Sequence, residues 1–561
     1  MLRDNVTLWL DAGATLVGSK DLTQYMSAVE HENWYRALVL AKGAKHVAVM
    51  GRGVIDGNQV RDPNGEERIR GPHAVLLYDT EDATVRDVSI QDAGNYALIV
   101  RSSQGINIDG IVVHGGWDGI NMHDVRNATI ANSRLFTGDD SLAGSFWENV
   151  TVTNCILNAS ANAIRVGGRN VLFSNLMIYG PGESRHLTSL RTQLEAGFQI
   201  LPNRAGARHK FTAELPVDNM VLSNVTMVNV GTPVYVAYSE DAPYTTNTLG
   251  VGRIIINDMT VLGAGLTPFY ISAPATNPAQ SIVLNHVRMQ FAGGARESHA
   301  EGQGFSPFSV LQSYAIYARH VQNLELHDVH VDFKETDLRP AIFGDHVAKV
   351  ELDSVHATRA PAGAPSLQFD EFGSLIVDGK PQVASELQAA GLSVPSAAVD
   401  AQDRFQAVVA VESAKSAGLN EVTLRVGEKT IRRSVWLEKG EQADLSFLNL
   451  TNDSPGLLAV EAGSIRKTVL IVGSRSNQTV DPPYLTFHNV TAEVRRGADE
   501  FYLRAGGDYP VMEYADQYGA IYLQRKLPEN GTVLVRLENP DGATNWLGRA
   551  GLMVRNDIAK P

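Results

Sequence analysis

The chain has 561 residues, which at roughly 100–200 residues per domain points to two to four folded units rather than one. Lys plus Arg total 48 against 62 Asp plus Glu, a formal charge of −14 that repels polyanions and argues against nucleic acid or an anionic membrane surface as partner. Apolar residues at 44% and charged residues at 20% exclude general disorder, and the single Cys155 excludes an intrachain disulfide or a thiolate metal site.

The opening, Met1 to Asn5, lacks a basic segment followed by an apolar one and runs straight into the strand-like Val6-Thr7-Leu8-Trp9-Leu10. No signal peptide is expected in it, and it reads as a chain whose leading piece has been removed. Fifty glycines, only 7% aromatics and no apolar run near 18 residues predict a turn-rich β protein without a membrane-spanning helix.

One word then recurs: apolar, polar, a pivot that is usually Asn or Asp, apolar, any residue, apolar. It stands at Val85 to Ile90 around Asp87, and returns around Gly110, Asn132, Asn154 and Asn175, with pivots 23, 22, 22 and 21 residues apart. Looser copies follow around Asn224, Asp258, His286, Asp328 and Ser354. A period near 22 with β-branched alternation and turn-forming residues at a fixed place predicts coils of a parallel β-helix. The segments alternate with period two and are too short for the helices of an α-solenoid, and the Leu ladder of a leucine-rich horseshoe is absent.

The coils are expected over 1–379, and Lys380 to Val399 reads as a linker. Alternating strands at Gln406 to Val411, Glu421 to Val426, Arg432 to Leu437 and Ala443 to Leu448 predict an immunoglobulin-like sandwich over 400–474. A third all-β unit is expected over 482–561, with strands near Phe501, Tyr518 and Ala550 to Asn556, and ends soon enough to read as incomplete.

In a β-helix, equal offsets from the pivot stack along the axis at roughly 4.8 Å per coil. Eight residues past the pivot stand Asn95, Asp118, Asp140, Asn162 and Glu183, and Asp139 adjoins Asp140 inside Thr137-Gly138-Asp139-Asp140-Ser141. Gly138 is expected to allow the bend that turns both carboxylates into one cleft. Close carboxylates raise at least one pKa, so such a group supplies a protonated donor beside an ionised base, the pair that glycoside hydrolysis needs. One coil of rise plus a lateral offset fits the roughly 6.5–9.5 Å separation that leaves room for an attacking water. Three acids in one patch could alternatively hold a divalent cation, and any single Asp in a β-helix turn also caps backbone groups. Trp117 and Trp147 are candidate sugar-stacking platforms, with rim packing as the alternative.

Several stretches resemble glycoside hydrolase family 28, the polygalacturonase-like right-handed parallel β-helix enzymes, over roughly residues 1–375. Asn5 to Leu16 resembles the family's early coil, Gly53-Val54-Ile55-Asp56-Gly57-Asn58 its Gly-x-Ile-Asp-Gly word, Trp117-Asp118-Gly119 the region of its Asn-Thr-Asp motif, and Gly138-Asp139-Asp140-Ser141 its Gly-Asp-Asp motif. The resemblance implies Asp139 as general acid, with Asp118 and Asp140 holding the water of an inverting hydrolysis. It implies no metal and no cofactor, and an extracellular or periplasmic setting. Where the family carries His-Gly this chain reads Asn162-Ala163-Ile164-Arg165-Val166-Gly167, so the usual histidine is missing. The Arg-Ile-Lys word associated with a substrate carboxylate is missing too, with Arg165, Arg185 or Arg191 as candidate replacements. Asn95, Trp117, Asn162, Arg165 and Arg185 are therefore the expected substrate-binding residues.

The insertion Gly180 to Asp218 doubles the coil spacing beyond these acids. It carries Arg185, His186, Arg191, Arg204, Arg208, His209 and Lys210, a basic loop that suits an anionic glycan or plain solvation. The later units resemble a CARDB-type immunoglobulin-like module and a concanavalin or laminin-G-like jelly roll, both common companions of polysaccharide-active enzymes. The expected partner is a polysaccharide or oligosaccharide substrate; the sequence specifies no oligomeric state. Two other functions share these features: a non-catalytic glycan-binding or adhesive β-helix, and a β-helix polysaccharide lyase using a base and often Ca²⁺.

Overall fold

The computed structural model describes residues 1–206, 210–211, 214–238, 248–295, 311–361, 363–394, 405–450 and 456–471, and beyond these only the backbone of Tyr484–Phe487, Thr491–Arg496, Phe501–Gly506 and Ala520–Leu523. Among the described residues there is no α-helix, only three single turns of 3₁₀ helix at Leu22–Gln24, Asn33–Tyr35 and Glu66–Arg68. None is long and apolar enough to cross a membrane.

Successive coils pair in parallel, as the 22-residue period predicts. Leu98–Asp109 lies beside Ile120–Ala131, which lies beside Leu142–Ala159, which lies beside Asn162–Tyr179, with Ile108↔Ile130, Ile130↔Val152 and Val152↔Phe173 in register. The stack continues through Asp218–Val228, Arg253–Ala264, Ala279–Gly293, Ile316–Glu335 and Ile342–Ala357. Every pivot from Asp87 to Ser354 has a left-handed backbone, with φ between 49° and 67°. Asn, Asp and Gly tolerate that region better than β-branched residues do, which is why the pivot alphabet is so narrow. Inside the coils a single core of Val, Ile, Leu, Met and Phe runs from Leu10 to Leu375. Trp147 belongs to this core at 0% exposure, its indole donating to Met122 O at 2.7 Å, so it is not a sugar platform.

The coils present a first sheet that positions the site. One outward-facing column of this sheet is continuous over Leu40, Leu76, Ile99, Asn121, Ala143, Arg165, Gln199, Tyr235, Tyr270, Tyr317 and Phe343.

The expected linker is not a plain one. Lys380–Gln382 turns back on Ser374–Val377, and Ala389–Ser393 pairs antiparallel with Phe405–Val411, joining the sheet that includes Asp444–Leu450. A second sheet of Gly418–Val426, Lys429–Leu437, Gly456–Ala462 and Ile465–Ile471 faces it across a shared apolar core, a small sandwich. The sandwich is joined to the coils: Leu367–Asp370 pairs antiparallel with Lys429–Leu437, Phe369 opposite Ser434. Arg433 grips Asp370 through Nε–Oδ1 at 2.6 Å and Nη2–Oδ2 at 2.5 Å. The last coil's open edge is thereby covered, which such an edge requires to avoid pairing with other chains. The expected motif Ala550 to Asn556 lies outside the described residues.

Candidate active site

The site lies at the edge where the chain enters the first sheet. Asp118, Asp140 and Asn162 stand in successive coils, because Ile120↔Leu142↔Ile164 fixes the register two residues on. The expected column is corrected at both ends. Ala97 N bonds Asp118 O at 2.9 Å, so Tyr96 rather than Asn95 lies opposite Asp118, and Asn95 falls one residue early beside Trp117. The cause is one extra residue between Ile90 and Leu98 compared with Val113 and Ile120. At the other end Asn162 pairs with Ala196, and Glu183 stays in the loop, accepting from the Tyr179 hydroxyl.

Asp118, Asp139 and Asp140 each place a carboxylate oxygen within 4.8 Å of the others. Gly138 serves this by close approach rather than by an unusual backbone angle: a Cβ there would meet Gly116 O at 2.3 Å and Arg185 O at 2.9 Å. Oxygens this close do not by themselves select the wider spacing of an acid and base around a water. They would also suit a divalent cation, although cationic side chains already bear on all three, most directly on Asp139.

Those side chains surround Asp139. Arg191 Nη2 stands 3.3 Å from its Oδ1, and Arg70 Nη2 and His186 Nε2 stand 3.5 and 3.6 Å from its Oδ2. His186 Nδ1 faces the backbone N–H groups of Ser189 and Thr188 at 3.2 and 3.4 Å, which makes it the acceptor nitrogen and leaves the ring proton on Nε2, toward Asp139. Burial alone would raise the Asp139 pKa, but His186, Arg70 and Arg191 together hold it below the ordinary carboxylate value. Asp118 goes the other way. Burial, then the charges of Asp140 and Asp139, push it well above the ordinary value, against Arg70 and the 2.7 Å bond from Asn121 Nδ2. Asp140 is raised by burial and by Asp139, opposed by Arg165 and by Asn162, whose N and Nδ2 donate to Oδ1 at 3.0 and 2.8 Å. The surroundings thus favour the neutral form on the Asp118 and Asp140 side and the anionic form at Asp139.

Two insertions deliver the cations. The segment before His73–Tyr78 brings Arg70, held by Glu67 Oε1 at 3.0 Å from Nε and stacked 3.8 Å above the Trp117 ring. Trp117 is also met edge-on by His186 at 5.1 Å and is 1% exposed, so it has no free face for a sugar and is corrected from platform to packing. The basic insertion brings His186, Arg191 and Glu195, anchored by Arg191 Nε to Ser160 O at 2.7 Å. The two insertions meet where Thr188 Oγ1 donates to Glu67 Oε2 at 3.2 Å. Arg185, the expected ligand, is exposed, while Arg191 faces the acids in its place. Arg165 lies in the floor, one coil beyond Ala143, and bears on Asp140.

A histidine does stand beside Asp139, His186, and it comes from a loop that gave no motif. Glu195 was missed entirely. It is buried, with Oε1 3.2 Å from Arg191 Nη1, and burial, opposed by Arg191 and Arg165 and helped by Asp140 and Asp139, lifts its pKa to about 7. Three buried amide oxygens, Asn95 Oδ1, Asn121 Oδ1 and Asn162 Oδ1, have no hydrogen-bond partner.

Among known proteins, the family model for glycosyl hydrolases family 28 matches residues 6–167, a span that includes Arg70 and the three aspartates and ends before the insertion carrying His186. An Aspergillus niger protein whose name provisionally assigns it as galacturan 1,4-alpha-galacturonidase A is 25% identical over 264 residues, 40% of this chain and 59% of that protein. A polygalacturonase of Ralstonia nicotianae is 24% identical over 244 residues, 33% of this chain and 43% of that protein. The chain thus spans about half the length of these curated relatives. The family 28 exopolygalacturonase structure of Yersinia enterocolitica aligns at 13% identity and a TM-score of 0.46, over 68% of this chain and 70% of that one.

Proposed function

We propose that this protein is a glycoside hydrolase acting on an anionic, pectin-type glycan outside the cytoplasm, by an inverting mechanism centred on Asp118, Asp139 and Asp140. The carrying observation is the cluster of three acids, one anionic and two pushed toward protonation, at the edge of a sheet whose surface holds Arg165 and unpaired amide oxygens. A net charge of −14 makes the local excess of Arg70, Arg165, Arg191 and His186 more telling, since the protein as a whole repels an anionic sugar.

In this reading a sugar carboxylate pairs with Arg165 and Arg191, and sugar hydroxyls donate to Asn95, Asn121 and Asn162. The added negative charge raises Asp139 toward protonation, and a proton favoured on the Asp118 and Asp140 side passes to it, leaving those two carboxylates ionised, while His186 Nε2 donates a hydrogen bond to Asp139. Asp139 protonates the leaving oxygen, while Asp118 and Asp140 hold and deprotonate the water. No step requires a metal or cofactor.

The test is release of reducing ends from polygalacturonate, rhamnogalacturonan, xylan and dextran by the wild type and by Asp139→Asn, with product anomers resolved by NMR. The acidic glycans should be cleaved with inversion, and the variant should be about 10²–10⁴-fold slower while still binding. Full activity in the variant would overturn the assignment. Binding by both proteins without release from any glycan would favour a non-catalytic glycan-binding protein.

A further inference from the structure

Beside the column that holds Asn121 and Arg165, a second outward-facing column of the first sheet runs through Lys42, Tyr78, Arg101, His123 and Ser145. Strand alternation sets the direction of Arg101: Leu98 and Val100 enter the core, so Ile99 and Arg101 point outward.

Arg101 stands among aromatic rings. Met26–Ser27 pairs antiparallel with the start of Arg36–Lys42, and the single turn at Asn33–Tyr35 brings Trp34 to it, with the Arg101 Cζ 5.0 Å from the centre of the Trp34 ring. Trp34 is held in place: His73 Nε2 donates to its carbonyl at 2.8 Å, and its own Nε1 donates to Glu66 Oε2 at 3.1 Å. Tyr35 and Tyr78 meet edge to face at 5.6 Å, and they and Tyr96 all bear on Arg101. The Tyr96 hydroxyl accepts from Arg70 Nη1 at 3.4 Å, which ties this aromatic cup to the cation facing Asp139. Arg101 and the four rings are half-buried.

The arginines nearest the acids are already engaged. Arg70 holds Glu67 and Asp139, Arg191 holds Asp139, Glu195 and the Ser160 carbonyl, and Arg165 bears on Asp140. Arg101 is not. Its Nε is buried without a hydrogen-bond partner, and among the described residues its guanidinium donates no hydrogen bond and joins no ion pair. Its surroundings are close to neutral: burial, then the Arg101 charge, hold His73 down at about 3, and Asp118, the carboxylate that bears on Arg101, is itself pushed toward its neutral form. A guanidinium taken out of water without a counter-charge costs stability, and its planar donors suit a carboxylate gripped by two parallel bonds.

We propose that Arg101 binds a substrate carboxylate, on a uronate unit lying to the amino-terminal side of the acids, and so selects glycans that are acidic at more than one position. The inference rests on the glycosidase reading and adds a second acidic unit to it. Arg101 and Arg165 stand three coil steps apart, about 14 Å, too far for one carboxylate to meet both.

The test compares full-length Asp139→Asn, expected to bind without turnover, with the same protein carrying Arg101→Gln as well. Calorimetry with tetragalacturonate should show affinity about 10–100-fold lower in the double variant, the effect of losing a charged hydrogen-bonded pair. The fully methyl-esterified tetramer should bind both proteins within about twofold of each other. Urea midpoints should be equal, or higher in the double variant, because the lost charge has no partner in the folded protein. Equal losses for acid and ester, no loss for either, or a large fall in the midpoint would overturn the role of Arg101 while leaving hydrolysis by the wild type intact. Should the double variant fail to fold, Arg101→Lys keeps the charge without the planar fork; it should weaken the acid severalfold and spare the ester, and equal effects on both would overturn the proposal. No cleavage of polygalacturonate by the wild type, with no binding by Asp139→Asn, would overturn the anionic-glycan reading and this inference with it.

Discussion

The two edges of the same coils are built in opposite ways. At the pivot edge, Asn132, Asn154, Asn175 and Asn224 repeat one solution: a left-handed backbone, with the amides of Asn154, Asn175 and Asn224 each donating to the Oδ1 of the Asn one coil before, at 3.3, 3.1 and 2.7 Å. At the site edge the column changes from Tyr96 to Asp118, Asp140, Asn162 and Ala196, and Asp139 depends on Arg70 from 69 positions before it and Arg191 from 52 after. A structural edge can be copied from coil to coil because each copy needs only its neighbours. A chemical edge must concentrate unlike charges at one point, and loops from distant coils are the means.

The largest effect expected from this contrast is at His186. Replacing it by Ala removes a donor to Asp139 and lets the Trp117 and Arg70 stack relax, and misplacement of this order costs roughly a hundredfold in turnover. The sign of the pH effect follows from its role: His186 lowers the Asp139 pKa, so its loss raises that pKa. A donor that keeps its proton to higher pH moves the alkaline limb of the activity profile upward. His186→Gln, which keeps a neutral donor, should recover part of the rate with a smaller displacement of the limb. A fall in stability with an unmoved limb would reduce His186 to packing.

The different logic of the two edges also explains what was legible beforehand. All ten pivots, even the loose copies at His286 and Ser354, were readable because a left-handed turn is a local demand on one residue type. Asp118, Asp139 and Asp140 were readable because they sit in short words at nearly constant offsets. Asn95 went wrong by one position because a single extra residue before Leu98 shifts the register, and a one-residue slip cannot be seen in a loose period. Trp117 was expected among the substrate-binding residues and packs instead, while for Trp147 the packing alternative holds, because composition does not say which face of a coil is inside. His186 was named only as one charge of a basic loop. The tyrosine column was invisible because Tyr235, Tyr270 and Tyr317 are 35 and 47 residues apart, and the varying insertions hide their common register.

Glu195 gives the next effect in size and probes the site edge through stability. Its folded pKa of about 7 lies above the 4.5 of an unperturbed Glu, so the folded state prefers it protonated. The stabilisation is full below about pH 4.5 and is lost as pH rises through about 7. The groups facing it are Arg191 on its own loop, Asp139 and Asp140 from the neighbouring turn, and Arg165 from the floor. Glu195→Gln fixes the neutral form, so its urea midpoint should match wild type near pH 4.5 and exceed it at pH 8, by about 1–3 kcal/mol. An equal difference at both pH values would mean that the carboxyl does not titrate in this window.

The smallest effect belongs to the pivot edge, and it separates backbone from side chain. Asn154 is exposed, holds φ at 55°, donates to Asn132 and accepts from Asn175. Asn154→Ala removes both amide contacts and places an ordinary Cβ in the left-handed region, for about 1–2 kcal/mol in all. Asn154→Gly removes the same contacts but relieves the backbone, and its greater unfolded-state freedom offsets part of that relief. Chemical denaturation of the two variants should therefore place Gly between Ala and wild type, with turnover on the preferred glycan unchanged in both because the pivots lie away from the acids. If Gly is as damaging as Ala, the amide ladder rather than the turn holds the coils in register. Loss of activity from either variant would show that the two edges are not independent, and that the repeat transmits strain across the coil to the carboxylates.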